Sequence, residues 1–149
     1  MIVRGKLTQS RLQAIGFFAD KLLTKQLNRH IIVNVVFRKN LSYLGLTYVD
    51  DYNSSGKLRE FTLEIYRDQI EEEILKTLAH ELVHVRQYAI GDLNEEATLW
   101  QGRLMEVNLA YENQPWEIEA NELADTLYEE YIHHDRQRIR KKQETFRRA

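Results

Sequence analysis

The spacing of hydrophobic residues changes from strand-like to helical along this chain, and this change limits the folds that the chain can adopt. Between residues 31 and 66, β-branched and alternating apolar residues predict three strands: Ile31 to Phe37, Leu44 to Tyr52 and Arg59 to Tyr66. From Asp68 to about Tyr88 the apolar residues recur at helical spacing instead. Strands grouped together and followed by helices predict an α+β fold.

Three helices are expected around these strands. The first lies near the amino end, where Ser10 can cap a segment with an apolar helical stripe. The second begins with Asp68 as a possible N-cap, and the third runs from Trp116 to about Ile132 after Pro115. Between Gly91 and Gln114 the pattern is mixed, with a tight turn expected at residues 100–103.

The sheet is expected to be small, three-stranded and mainly antiparallel. The tract from Asp50 to Gly56 is rich in turn-forming residues, so the last two strands are expected to form a hairpin. The complete prediction is therefore a first helix, this sheet, a second helix, an irregular segment and a third helix.

Length and composition favour one domain spanning residues 1–149, with 135–149 a basic helix end or tail. The chain has no cysteine, so a metal would have to be held by His, Asp or Glu. No secretory signal and no membrane-spanning apolar run are recognised, so a cytoplasmic protein without membrane contact is expected. The formal net charge of −2 does not indicate any particular class of binding partner. The protein is expected to be a monomer.

The sequence His80-Glu81-Leu82-Val83-His84 is the H-E-x-x-H pattern on a predicted helix. Side chains four residues apart project from one helix face, so both imidazoles can bind one zinc ion. Glu81 is adjacent and can take a proton from a zinc-bound water and pass it to the leaving amine. A buried histidine paired with a glutamate for structural reasons is the alternative interpretation.

A third protein ligand is required, because catalytic zinc usually has three, with water in the fourth position. The segment Pro115 to Glu122 offers carboxylates on the third predicted helix. Glu117 and Glu119 lie at opposite margins of its buried stripe, and helix geometry does not choose between them.

The motif H-E-L-V-H followed by W-E-I-E-A-N resembles gluzincin metallopeptidases, whose third zinc ligand is a glutamate on a later helix. The small size resembles the minimal members called minigluzincins, and the second segment is similar to the E-x-E-A-N/D signature of ImmA/IrrE-like peptidases. This resemblance implies a minimal zincin fold and zinc bound by His80, His84 and Glu117. It also implies that Asn121 supports a zinc-binding histidine, and that an edge strand binds the substrate main chain.

The expected function is therefore zinc-dependent hydrolysis of peptide bonds in a protein or peptide substrate, with Glu81 as the catalytic base. A donor that stabilises the oxyanion is also needed. The candidates are Tyr88, Tyr111, His133 and His134.

Two alternatives remain open. Residues 136–148 are strongly basic and could contact nucleic acid, as in SprT-like proteases, which also carry H-E-x-x-H. Those proteases normally use a third histidine and often a cysteine-based zinc ribbon, which this chain cannot form. The second alternative is a non-catalytic zincin-fold domain that binds or regulates, but such a domain has no chemical need for Glu81.

Overall fold

The computed structural model describes residues 1–149 and contains four α-helices and six strands. The helices are α1 (Gln9–Leu22), α2 (Lys25–Asn28), α3 (Glu71–Ile90) and α4 (Pro115–Arg148). The strands are β1 (Ile2–Arg4), β2 (Ile32–Arg38), β3 (Gly45–Tyr52), β4 (Leu58–Tyr66), β5 (Leu99–Trp100) and β6 (Arg103–Leu104). A 3₁₀ turn, Tyr111–Asn113, precedes α4. The α+β class predicted from the sequence is confirmed.

The main sheet has four strands in the order β1-β2-β4-β3. Strands β3 and β4 form the expected antiparallel hairpin, but β1 and β4 both pair with β2 in parallel. The prediction of three mainly antiparallel strands is therefore corrected to four strands of mixed direction. The hairpin folds back so that β4 lies between β2 and β3, and this leaves β3 at the sheet edge.

One face of the sheet is apolar and is covered by the helices. Phe61, Leu63 and Ile65 of β4 point into the core and are fully buried. Helix α3 contacts β3 and β4, and α1 and α4 pack against α3. The opposite face is polar, where Asn34 and Thr62 hydrogen-bond to Asp50. The sheet is thus covered on one side only, as antiparallel and mixed sheets permit.

The helix ends differ in detail from the sequence expectations. Thr8, rather than Ser10, caps α1 by accepting a hydrogen bond from the Arg11 N–H. Helix α3 begins after Ile70 without a side-chain cap, so Asp68 is not its N-cap. Three acidic residues in its first turn favour the helix electrostatically instead.

Two other expectations agree with the structure. The turn at residues 100–103 joins β5 and β6 as a two-stranded hairpin, and α4 begins at Pro115. Helix α4 continues to Arg148, well past the predicted end near Ile132, so the basic segment is helical. No helix combines the length and the apolar character needed to cross a membrane.

Candidate metal centre

Three potential metal ligands from two helices meet at one point. His80 and His84 lie one turn apart on α3, and Glu117 lies in the first turn of α4. One ligand atom from each of the three falls within 4.8 Å of the others. The Nε2 atoms of His80 and His84 are 3.1 Å apart, and Glu117 oxygens lie 3.1 Å and 3.3 Å from them. This group can hold a metal ion.

Gln87 fixes the orientation of His84. The His84 Nδ1 lies 2.8 Å from the Gln87 Oε1, while the Gln87 Nε2 donates to the Trp116 carbonyl at 2.9 Å. Because the amide nitrogen is directed at Trp116, the amide oxygen faces His84 and accepts its Nδ1–H. In the neutral imidazole this leaves Nε2, which is directed at His80 and Glu117, as the unprotonated nitrogen that a metal ligand requires. The donor set and this tautomer fit a zinc ion.

Glu81 is buried beside the group and is held by the edge strand. The Thr47 hydroxyl of β3 donates to the Glu81 Oε2 at 2.7 Å. The other oxygen faces the start of β3, where a Cβ atom on Gly45 would lie 2.6 Å from it. Only a residue without a side chain allows this approach, so Gly45 and Thr47 together define the position of the carboxylate.

Burial and charge shift the pKa values of these groups in different directions. Burial raises the pKa of Glu81, and the neighbouring imidazoles and Thr47 only partly oppose this effect. Burial also opposes ionisation of Glu117, but hydrogen bonds to His80 and His84 outweigh it and hold the Glu117 pKa far below its ordinary range. Burial disfavours the charged form of His84, yet its bond to Glu117 raises its pKa overall. Two nearby carboxylates therefore have different proton affinities.

The group opens onto a cleft of about 630 Å³ between the start of β3, α3 and α4. Its lining combines polar side chains such as Tyr43, Lys76 and Asp125 with apolar and aromatic side chains that include Leu93 and Trp116. His80, Glu81, His84 and Glu117 all line it. A molecule in this cleft can thus contact both the candidate metal ligands and Glu81.

Glu119 does not belong to the group. Its Oε1 accepts hydrogen bonds from Arg86 at 3.1 Å and from Gln87 at 3.4 Å, so it links α4 to α3. Asn121 lines the cleft one turn after Glu117, but the hydrogen-bond partner of His84 is Gln87. The role expected for Asn121 from the family resemblance is thus filled at His84 by another residue.

Of the four candidate oxyanion donors, two line the cleft. Tyr111 lies beside Glu117, and burial together with that carboxylate raises the Tyr111 pKa above its ordinary value. Tyr88 also lines the cleft, but its ring stacks on Phe61 in the core. His133 and His134 lie elsewhere on α4, and the His134 ring packs on Phe17.

Three residues at the site escaped the sequence analysis: Gly45, Thr47 and Gln87. Gln87 follows His84 by three residues, so helical spacing could have identified it as a neighbour of that imidazole. Gly45 and Thr47 reach Glu81 only through the packing of β3 on α3, for which the local sequence carries no signal.

Comparison with family models, with curated proteins and with solved structures found no match to this chain. The function is therefore argued from the site itself.

Proposed function

We propose that this protein is a zinc-dependent peptidase with a gluzincin-like active site. The proposal rests on one observation above all. Two imidazole nitrogens and a carboxylate oxygen converge within 4.8 Å beside a buried glutamate, at a cleft of about 630 Å³. Three protein ligands with one open side are typical of catalytic zinc sites, whereas structural sites usually have four protein ligands.

His80, His84 and Glu117 would hold the zinc ion, and Glu81 would move the protons. A zinc ion at this position supplies a Lewis acid and lowers the pKa of a water molecule bound to it. The Thr47 hydroxyl holds the Glu81 carboxylate in place beside the candidate ligands, and this carboxylate would take the proton of the attacking water. Burial raises the Glu81 pKa, which makes the carboxylate a stronger base. The protonated Glu81 would then donate this proton to the peptide nitrogen as the C–N bond breaks.

Tyr111 is the best-placed donor for the negative charge that develops on the peptide oxygen. Tyr111 lines the cleft beside Glu117, and burial and the Glu117 carboxylate raise its pKa further above neutral pH, so its hydroxyl is available as a donor. A neutral donor beside the reacting carbonyl stabilises the transition state. Tyr88 is less suitable, since stacking on Phe61 holds its ring in the core.

The edge strand β3 supports a protein or peptide substrate. Residues 43–47 line the cleft, and β3 has a hydrogen-bonded neighbour, β4, on one side only. The backbone groups on its free side can pair with an extended peptide lying in the cleft. A peptide held in this way would pass directly across Glu81 and the candidate zinc ligands.

The group formed by His80, His84 and Glu117 also helps to distinguish the proposed peptidase from the SprT-like and non-catalytic alternatives. Its third member is a glutamate, and no third histidine lies near it, which favours a gluzincin-like site over a SprT-like one. A non-catalytic zincin-fold domain would not need a buried, oriented carboxylate at Glu81, because burying a carboxylate costs stability. The peptidase proposal accounts for both features.

Replacing Glu81 by Gln tests the proposal. The purified wild-type protein should contain about one zinc per chain and hydrolyse an unfolded protein substrate, with activity lost in a chelator and restored by zinc. The Glu81→Gln variant should retain zinc and its circular dichroism spectrum while losing about three or more orders of magnitude in kcat. Glu122→Gln, an exposed change on α4, serves as the control. Zinc-independent hydrolysis, or wild-type turnover in Glu81→Gln, would refute the mechanism.

A further inference from the structure

Charge is strongly segregated along the chain. Residues 135–148 contain seven of the 21 basic residues and two of the 23 acidic residues, so this segment carries a formal charge of +5. The remaining residues carry −7, which the overall net charge of −2 conceals. Five of the seven cations are arginines, whose planar guanidinium groups pair with phosphate oxygens in a bidentate manner.

The segment is an exposed helix rather than part of the folded body. Helix α4 is buried through Trp116, Ala120, Ala124, Leu127 and Tyr131, and every residue from Ile139 onward is exposed. Two cations of the segment are paired within it, Arg138 with Asp135 and Arg140 with Glu144. The other five have no ion-pair partner, namely Arg136, Lys141, Lys142, Arg147 and Arg148.

The cations surround the helix instead of forming one face. Successive residues turn by about 100°, so Arg136, Arg140 and Arg147 lie on one side, with Lys141 and Arg148 about 100° further round. Arg138 and Lys142 occupy a third side. The fourth side carries Ile139 and Phe146, which are two turns apart. Cations thus cover three of four sides along about 20 Å of helix.

We propose that this segment binds the phosphate backbone of nucleic acid. A groove of duplex DNA encloses a helix on several sides and is wide enough to admit one, which matches cations on three sides. A membrane surface contacts one side only and requires a continuous apolar face, which two isolated apolar residues do not provide. Eight acidic side chains of the body form ion pairs, namely Glu60, Glu64, Asp68, Glu71, Glu72, Glu117, Glu119 and Glu130. Self-association through the other acidic side chains is an outcome that the test below separates from DNA binding.

Binding of the full chain to a fluorescent DNA duplex tests this proposal, measured by anisotropy at several salt concentrations. The test variant replaces Arg136, Lys141, Lys142 and Arg147 by Gln, which has a helix propensity close to that of Arg and Lys. The control replaces four exposed body cations without ion-pair partners, Lys6, Lys25, Lys39 and Lys57, by Gln. Both variants therefore have the same net charge, and circular dichroism checks that both remain helical.

Affinity should fall by more than about tenfold in the segment variant, and the slope of log affinity on log salt should decrease by about three to four. The control variant should stay within about threefold of wild type, because charges beyond a Debye length are screened. Equal losses in both variants, or absence of DNA binding, would overturn the proposal. So would segment-dependent binding to anionic phospholipid vesicles in place of DNA, or segment-dependent self-association in sedimentation as the only interaction.

Discussion

The two nitrogens of the His84 ring have different roles, and the hydrogen bond to Gln87 determines which nitrogen has which role. Its amide accepts from the Nδ1–H and donates to the backbone of Trp116, the residue before Glu117. One fully buried side chain therefore sets the tautomer of a candidate ligand and fixes the helix turn that carries another. Such supporting hydrogen bonds matter to metal affinity almost as much as the ligands themselves.

Replacing Gln87 by Ala should weaken zinc affinity by about 10- to 100-fold, because His84 loses the acceptor that holds its ring. The measurement is a zinc titration against a competing chelator. Gln137→Ala, an exposed change on α4 at a residue that hydrogen-bonds only to His133, should leave affinity unchanged. Wild-type zinc affinity in Gln87→Ala, with the fold intact, would show that the hydrogen bond does not orient the ligand.

The neighbouring glutamates of α4 should behave differently from each other. Glu117→Ala removes one of three ligands and should reduce zinc affinity strongly, by about 100-fold or more. Glu119→Ala breaks contacts to Arg86 and Gln87 without removing a ligand, so its effect should be much smaller. The same titration distinguishes them, and a larger loss in Glu119→Ala would contradict the assignment.

Sequence spacing predicts residues that share a helix, and here it identified His80, Glu81 and His84 as neighbours. It left Glu117 and Glu119 undecided, because they lie at opposite margins of one stripe. The docking of α4 on α3 decides between them, since Arg86 lies opposite Glu119 while the two imidazoles lie opposite Glu117. That docking depends on contacts between distant segments, which no local pattern encodes.

At the scale of the elements, the start of β3 lies in close contact with the middle of α3. A Cβ atom at Gly45 would lie 2.6 Å from the Glu81 Oε1 and 2.7 Å from the Thr77 Cγ2. The strand therefore rests directly on the helix turn that carries the motif. This approach both buries Glu81 and brings the edge of the sheet to the cleft.

Replacing Gly45 by Ala should displace β3 or Glu81, reduce kcat by more than about tenfold and lower the free energy of unfolding by about 1–3 kcal/mol. Gly16→Ala is the matched control, because Gly16 lies inside α1 with no neighbouring atom within 4 Å of an added Cβ. That change should stabilise the protein by about 0.5–1 kcal/mol. Chemical denaturation measures the free energy of unfolding of both variants, and a peptidase assay measures kcat. Wild-type stability and kcat in Gly45→Ala would disprove the steric argument.

Pairing between elements was harder to predict than their existence. Strand β1 has three residues, too few for a recognisable alternation, and it pairs with β2 about thirty positions later. The order of β2, β4 and β3 follows from the hairpin inserting its second strand next to β2. The strand sequences do not specify that β4 is the neighbour of β2, because both strands present similar alternating faces to the core.

At the scale of the whole molecule, an ion pair joins the first helix to the start of the motif helix. Arg11 donates two hydrogen bonds to the Glu71 carboxylate, and these lower the Glu71 pKa although burial opposes them. Because the Glu71 pKa is lower in the folded state, the ionised carboxylate stabilises the folded protein at pH values above the ordinary glutamate pKa. This contribution disappears as the pH falls through the folded-state value.

Glu71→Gln should therefore lower the free energy of unfolding by up to about 1 kcal/mol at pH 7, since the pair is partly exposed. The difference from wild type should shrink as the pH falls below about 4. Glu73→Gln is the control, because Glu73 lies in the same first turn without an ion-pair partner. Chemical denaturation in the presence of a chelator, repeated at several pH values, measures the free energy of unfolding of both variants. Equal losses of stability that do not depend on pH would argue against the ion pair.

Helix α4 runs without interruption from Pro115 to Arg148, with a candidate ligand near its start and the basic segment near its end. At about 1.5 Å per residue, the distance from Glu117 to Lys142 is about 37 Å. Because the helix is continuous, this distance does not depend on a flexible linker. If the segment holds a nucleic acid and the cleft hydrolyses peptide bonds as proposed, cleavage would occur about four nanometres along the helix from the nucleic-acid contact. A protein substrate on the same nucleic acid would then be selected by its position as well as by its sequence.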